Sequence, residues 1–104
     1  MINPVIYIAG HNGMVGSAIL RKLQLQGFDK IITTNRAKLD LTDDKAVESF
    51  FHVNNPEIVI IAAAKVGGIQ ANIENPVEFL LDNLIIQNNL IKNAVKYGAK
   101  KIVF

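Results

Sequence analysis

Glycines stand at Gly10, Gly13 and Gly16, inside the stretch IAGHNGMVGSAI. They follow an apolar run and precede a helical one. Residues without side chains lose conformational entropy and contribute little packing, so this spacing asks for a chemical reason. In a strand-to-helix turn that binds a dinucleotide, the first glycine permits a tight turn. The second lets the backbone approach the pyrophosphate, and the third lets the helix press against the sheet. The phosphates then meet free N–H groups and the positive end of the helix dipole. Gly10, Gly13 and Gly16 fit these roles in order, spaced G-x-x-G-x-x-G rather than the commoner G-x-G-x-x-G. The bland alternative is a tight turn with no ligand. No G-K-[ST] follows, which argues against a P-loop nucleotide triphosphatase.

A second candidate lies after the next apolar run, where the chain reads Thr34-Asn35-Arg36. NAD-specific sites place a carboxylate there to accept from the ribose hydroxyls. Arg36 instead offers a guanidinium that can pair with a 2′-phosphate, so NADP(H) is expected over NAD(H). Asp40 either reaches the adenine edge or starts the next helix. His11 reads as a loop residue and His52 as a surface one. Lys65 is either a ligand contact or a solvated lysine. Asn83 shares a helical stripe with Phe79 and Leu90, and is either a buried hydrogen-bonding residue or part of an exposed face. No His or carboxylate pair has metal-ligand spacing, so no metal site is expected.

These residues need elements to position them. Val5-Ile6-Tyr7-Ile8-Ala9 predicts a strand buried on both faces. From Met14, the spacing of Val15, Ala18, Ile19, Lys22 and Leu23 predicts a helix that Gly27 stops. Ile31 to Thr34 predicts a short strand. Thr42 or Asp43 then caps a helix carrying Ala46, Val47, Phe50 and Phe51 and ending near Pro56. Ile58 to Ala64 predicts a third strand, punctuated by Lys65-Val66-Gly67-Gly68. Pro76 opens the longest helical pattern, which runs to Gly98, and Lys101 to Phe104 begins a fourth strand.

Alternating strands and helices predict parallel βαβ units with right-handed crossovers. The expected fold is α/β: a partial Rossmann-type doubly wound parallel sheet of four strands in the order 3-2-1-4. Residues 1–104 are expected to form the amino-terminal part of an NADP-binding domain. The chain stops inside a strand whose outer edge a complete sheet would cover. The chain is therefore expected to be part of a larger protein.

Half of the residues are hydrophobic, enough for a core and too many for a disordered chain. The formal net charge is only +2, and the lysines at 92, 96, 100 and 101 read as a solvated helix end rather than a nucleic-acid patch. Cysteine is absent, which removes disulfide frameworks and thiolate metal sites. The apolar runs are too short or too interrupted to span a bilayer, and no signal peptide is apparent. A cytoplasmic protein is the expectation.

The stretches GHNGMVGSAI and AAAKVGGI together resemble the amino-terminal part of the GDP-L-fucose synthase family, among the extended short-chain dehydrogenase/reductases. The resemblance runs over essentially the whole chain, including LDLTD and the long helix FLLDNLIIQNNLIKNAVKYGAKKIVF. It implies an oxidoreductase and isomerase of GDP-L-fucose biosynthesis. Such an enzyme epimerises GDP-4-keto-6-deoxy-D-mannose at two ring carbons and reduces its keto group with NADPH. By position, Gly10, His11, Asn12, Gly13, Met14, Val15 and Gly16 would hold the pyrophosphate. Arg36 would face the 2′-phosphate, and Asp40 with Leu41 would lie beside the adenine. Ala62, Ala63, Ala64 and Lys65 would line the cofactor toward the nicotinamide. The family often carries Arg where Asn12 stands, which leaves more of the 2′-phosphate to Arg36. Its catalytic Ser, Tyr-x-x-x-Lys pair, Cys and His all follow the segment corresponding to Phe104. Tyr7 and Tyr97 are the only tyrosines; Tyr97 stands four residues before Lys101, but both precede the segment in which the family carries its pair. The chain alone is thus expected to have no catalytic residues, while the complete enzyme is a homodimer with no membrane or nucleic-acid partner. Two alternatives stay open: another NAD(P)-dependent nucleotide-sugar epimerase or dehydratase, and a non-catalytic nucleotide-binding module.

Overall fold

Ile6, Tyr7, Ile8 and Ala9 are all buried, and together they form the first strand, β1 (Ile6–Ala9). Four consecutive buried residues require cover on both faces of the sheet, as an apolar run without alternation implies. The computed structural model describes residues 3–35, 37–62 and 76–104. After β1 come α1 (Met14–Leu25), β2 (Ile31–Thr33), α2 (Asp44–Asn54), β3 (Ile58–Ile61), α3 (Pro76–Lys96) and β4 (Lys101–Val103). The strands pair in parallel throughout. The expected α/β class and parallel doubly wound sheet are therefore present.

The strand order differs from the expected 3-2-1-4. It is β2-β1-β3-β4, so β3 lies against β1 and not beyond β2. Burial accounts for the difference. β1 and β3 are the strands with most residues buried and take the centre, whereas β2 is half-buried throughout and β4 mostly exposed, and these form the edges. In the common dinucleotide-binding order 3-2-1-4-5-6, the chain supplies positions 2-1-4-5. Position 3 has no strand among the described residues. Between β2 and α2 the chain makes turns instead, burying Leu39.

The pleat sorts the central side chains onto two faces. Register pairs Ile6 with Ile58, Tyr7 with Val59, Ile8 with Ile60 and Ala9 with Ile61. Ile6, Ile8 and Ile60 meet Ile19, Leu20 and Leu23 of α1. On the opposite face, Tyr7, Ala9, Val59 and Ile61 pack with Val47 and Phe51 of α2 and with Ile86, Leu90 and Ala94 of α3. Tyr7 also lies against the rings of Phe50 and Phe51, with centroids 4.6 and 5.9 Å away. Fully burying side chains of this size contributes about 1.5–3 kcal/mol each.

Helix ends follow local chemistry. Of the two expected caps for α2, Asp43 is the one used: its side chain accepts from the Ala46 N–H at 3.3 Å. Asn55 closes that helix in the left-handed region, and Pro56 follows. α3 ends where the Ala99 N–H reaches back to the Ala94 carbonyl around Gly98.

Candidate functional site

β1 runs directly into the glycine turn. Gly10 has φ +91°, a conformation that L side chains rarely adopt. Its carbonyl accepts from the Gly13 N–H at 3.2 Å, closing the turn. At Gly16, a Cβ would fall 1.9 Å from that same carbonyl oxygen and 2.7 Å from its carbon. The helix therefore presses on the turn, and only glycine permits it. Gly13 is different. Its φ is an ordinary −75°, it is exposed, and among the described residues beyond its chain neighbours a Cβ would approach nothing closer than the Gly10 carbonyl oxygen at 3.6 Å. Nothing among the described residues asks for glycine at position 13, which leaves room for a group arriving from outside.

The start of α1 is suited to an anion. Gly13 is its N-cap and offers no side-chain acceptor, and the first turn contains no acidic residue. The first N–H groups of any helix lack intrahelical acceptors and carry the positive end of its dipole. Here no carboxylate competes for them. The expected contacts flank this turn, with His11 half-buried and Asn12, Met14 and Val15 exposed.

The turn opens at the point where the sheet changes direction. α1 leaves β1 toward one face and α3 follows β3 onto the other. Such a divergence leaves a crevice at the carboxyl ends of the strands. The Ala62 N–H donates to the Ala9 carbonyl at 2.9 Å, so Ala62 stands beside the start of the glycine turn. Ala63, Ala64 and Lys65, and with them the last part of the expected third strand, lie outside the described residues.

Across β1, the end of β2 forms the other wall. The Thr34 hydroxyl meets the Tyr7 phenol at 3.2 Å. Burial raises the Tyr7 pKa above its usual value, and the Thr34 hydrogen bond offsets this only in part. Tyr7 is fully buried, so it is a core residue out of a ligand's reach. Asn35 folds the chain back, its side chain and carbonyl both accepting from the Lys38 N–H at 3.0 and 3.1 Å. Arg36 lies outside the described residues. Asp40 does not begin α2. One of its carboxylate oxygens accepts from the Thr42 N–H and hydroxyl at 3.0 and 2.7 Å, shaping the connection that reaches the Asp43 cap. Leu41 is half-buried against the α2–α3 face.

Other candidates fall away from this crevice. His52 is exposed and lies edge-on to Tyr97 at 5.6 Å. Lys92, Lys96 and Lys100 pair with Asp44, Glu48 and Glu57, as a solvated helix end would. Asn83 is half-buried, and the fully buried polar residues of α3 are Asn89 and Asn93. Sequence reasoning missed these two; the signal was their spacing of four, in line with Ile86, Leu90 and Ala94. Among the described residues, no group of three His, Cys, Asp or Glu side chains could hold a metal ion. No described helix is long and apolar enough to cross a membrane.

Known proteins give this geometry a context. Residues 6–104 match the NAD dependent epimerase/dehydratase family. GDP-L-fucose synthase 1 of Arabidopsis thaliana is 54% identical over 99 residues, covering 95% of this chain and 31% of the plant protein. A GDP-mannoheptose C4 reductase from Campylobacter jejuni, solved with NADP bound, superposes with a TM-score of 0.92 at 41% identity, covering 98% of this chain and 32% of that one. A GDP-L-fucose synthetase from Naegleria fowleri bound to NADP gives 0.84 at 30% identity, covering 98% and 31%. The chain thus spans about a third of the length of the proteins it matches.

Proposed function

We propose a function from one premise: the chain belongs to the NAD dependent epimerase/dehydratase family. On our reading it is the NADP(H)-binding amino-terminal portion of a GDP-L-fucose synthase, with the rest of the domain and the substrate domain outside these 104 residues. The complete enzyme would convert GDP-4-keto-6-deoxy-D-mannose to GDP-L-fucose by epimerisation and keto reduction. Sequence identity to the plant synthase supports the substrate, and the NADP-bound reductases of similar fold support the cofactor.

The observation that carries the reading is Gly13, a glycine that no contact among the described residues requires, at the uncapped start of a helix. Its missing side chain lets a pyrophosphate reach the N–H groups of the turn from Gly10 to Gly16, with His11, Asn12, Met14 and Val15 around it. Arg36 would pair with the 2′-phosphate. Asp40 and Leu41 would border the adenine, and Ala62, Ala63, Ala64 and Lys65 the nicotinamide end. Bound there, NADPH supplies the hydride for keto reduction. The chain's own part is to bind and orient it: the acid–base groups of epimerisation and reduction belong to the remainder of the enzyme. Neither described tyrosine can serve, since Tyr7 is buried among phenylalanines and Tyr97 packs against His52.

The proposal includes a cytoplasmic homodimer with no membrane or nucleic-acid partner. An exposed apolar row on α3, formed by Val77, Leu80, Leu81, Leu84 and Ile85, supports the dimer. Isomerase activity rests on the same identity to synthases. The alternative is a reductase of another GDP-linked sugar, which the Campylobacter relative favours.

NADPH oxidation separates these readings. The complete protein containing this segment should consume NADPH with GDP-4-keto-6-deoxy-D-mannose and release GDP-L-fucose, while the 104-residue chain should not. Turnover by the short chain would overturn the division of labour. Activity of the complete protein only on a different GDP-sugar would install the alternative.

A further inference from the structure

Asn89 is only 6% exposed and lies between Ile86 and Leu90, both core residues. A leucine would fill that place without a polar group to satisfy. A buried amide is unfavourable unless it finds partners, so its partner indicates why it is there. The Asn89 side-chain NH₂ donates to the Leu41 carbonyl at 3.0 Å, across 48 residues of sequence. It is a single bond from the middle of α3 to the connection between β2 and α2.

That connection is built from turns. Leu39 is sunk in the core, the Asp40 carboxylate is turned onto Thr42, and the Asp43 N–H donates to the Asp40 carbonyl at 3.0 Å. Those bonds give the segment its own shape, and the Asn89 bond to the Leu41 carbonyl ties it to α3. Asn93, one turn further along α3, is equally buried but acts elsewhere: its amide donates to the Asn89 backbone carbonyl at 2.8 Å and to the Asp44 carboxylate at 3.4 Å.

We propose that Asn89 is a positioning residue for the adenosine half of the cofactor site, holding the Asp40–Leu41 segment in place through the Leu41 carbonyl. The inference rests on the proposed placing of that segment beside the adenine. Holding a loop in its bound shape before the ligand arrives removes an ordering cost from binding. Asn89 needs no contact with the cofactor to act.

The test titrates the 104-residue chain by calorimetry with NADP+ and with adenosine 2′,5′-bisphosphate. The variants are Asn89→Leu, which removes the donor and keeps the volume, and Asn93→Leu as an equally buried control. Both should lower the melting temperature. Only Asn89→Leu should weaken both ligands, by about tenfold, the effect of one net hydrogen bond. Equal affinities for Asn89→Leu and the wild type would overturn the inference while leaving the proposed function intact. A folded wild-type chain that binds neither ligand would instead remove the proposed function and the inference with it. Should Asn89→Leu fail to fold, the wild type still decides by NMR. On adding the bisphosphate, the Asn89 side-chain amide signals should move together with the Thr42 backbone amide. Unmoved Asn89 signals alongside shifted glycine-turn signals would contradict the assignment.

Discussion

A methyl group at Gly16 would sit 1.9 Å from the Gly10 carbonyl oxygen, whereas one at Gly13 would rest 3.6 Å from it. The two alanine variants should therefore part company. Gly16→Ala forces backbone to move, and overpacking of that kind destabilises by about 1–3 kcal/mol. Gly13→Ala makes only an ordinary van der Waals contact there, and replacing an N-cap glycine should cost no more than about 1 kcal/mol. Thermal denaturation is expected to rank them in that order, with Gly13→Ala still folded. Tyr7→Phe should lose about 1 kcal/mol with its Thr34 bond and leave cofactor affinity unchanged. A large loss of affinity would give the phenol a role the fold does not. The glycine spacing was legible because each position has a distinct backbone requirement. Asn89 was not, since an asparagine in a helical stripe looks alike whether its partner is water or a carbonyl 48 residues away.

Helices α2 and α3 are joined by an apolar seam and a polar rim. Leu90→Ala, which empties part of that seam, should destabilise by about 2–5 kcal/mol in chemical denaturation. At the rim, Lys92 bonds Asp44 at 2.8 Å and Lys96 bonds Glu48. The Asp44 carboxyl is held below its ordinary 3.8, chiefly by the Lys92 hydrogen bond, and Glu48 below its ordinary 4.5 by the Lys96 hydrogen bond and charge. Groups with lowered folded pKa values contribute stability above their unfolded values and lose it as pH falls through the folded ones. The Lys96 ammonium runs the other way: its pKa is raised above 10.5, first by the Glu48 hydrogen bond, so its contribution fades as pH rises through that raised value. All these groups are exposed, so the effect is small and screened by salt. An Asp44→Asn, Glu48→Gln variant should show a shallower acid limb than the wild type and match it more closely in high salt. Identical acid limbs would mean the pairs carry no stability. The lysine cluster was visible in sequence, but its partners were not, because they come from α2 and from Glu57 just before β3. The strand order was half legible: the burial that places β1 and β3 at the centre is written in their apolar runs, yet the expected order put β3 beyond β2.

At the scale of the molecule, one sheet brings the glycine turn, the end of β2 and Ala62 to a single edge, which is what a dinucleotide needs. Composition and strand–helix alternation made that much readable. Arg36 and the stretch from Ala63 to Lys65 fall outside the described residues, so their roles are carried by sequence alone. The apolar row on α3 gives a further expectation: the 104-residue chain should self-associate with rising concentration in sedimentation velocity, and a Leu81→Lys, Leu84→Lys variant should remain monomeric. The most direct test of the account is a thermal-shift titration of the wild-type chain and Gly13→Ala with NADP+ and, separately, NAD+. At about a hundred times its dissociation constant, a ligand that binds only the folded state adds about 2.7 kcal/mol. Wild-type chain is expected to be stabilised by NADP+ well beyond NAD+, and Gly13→Ala, still folded, by neither. A folded wild-type chain that ignores both nucleotides, or a Gly13→Ala chain that responds as the wild type does, would contradict it.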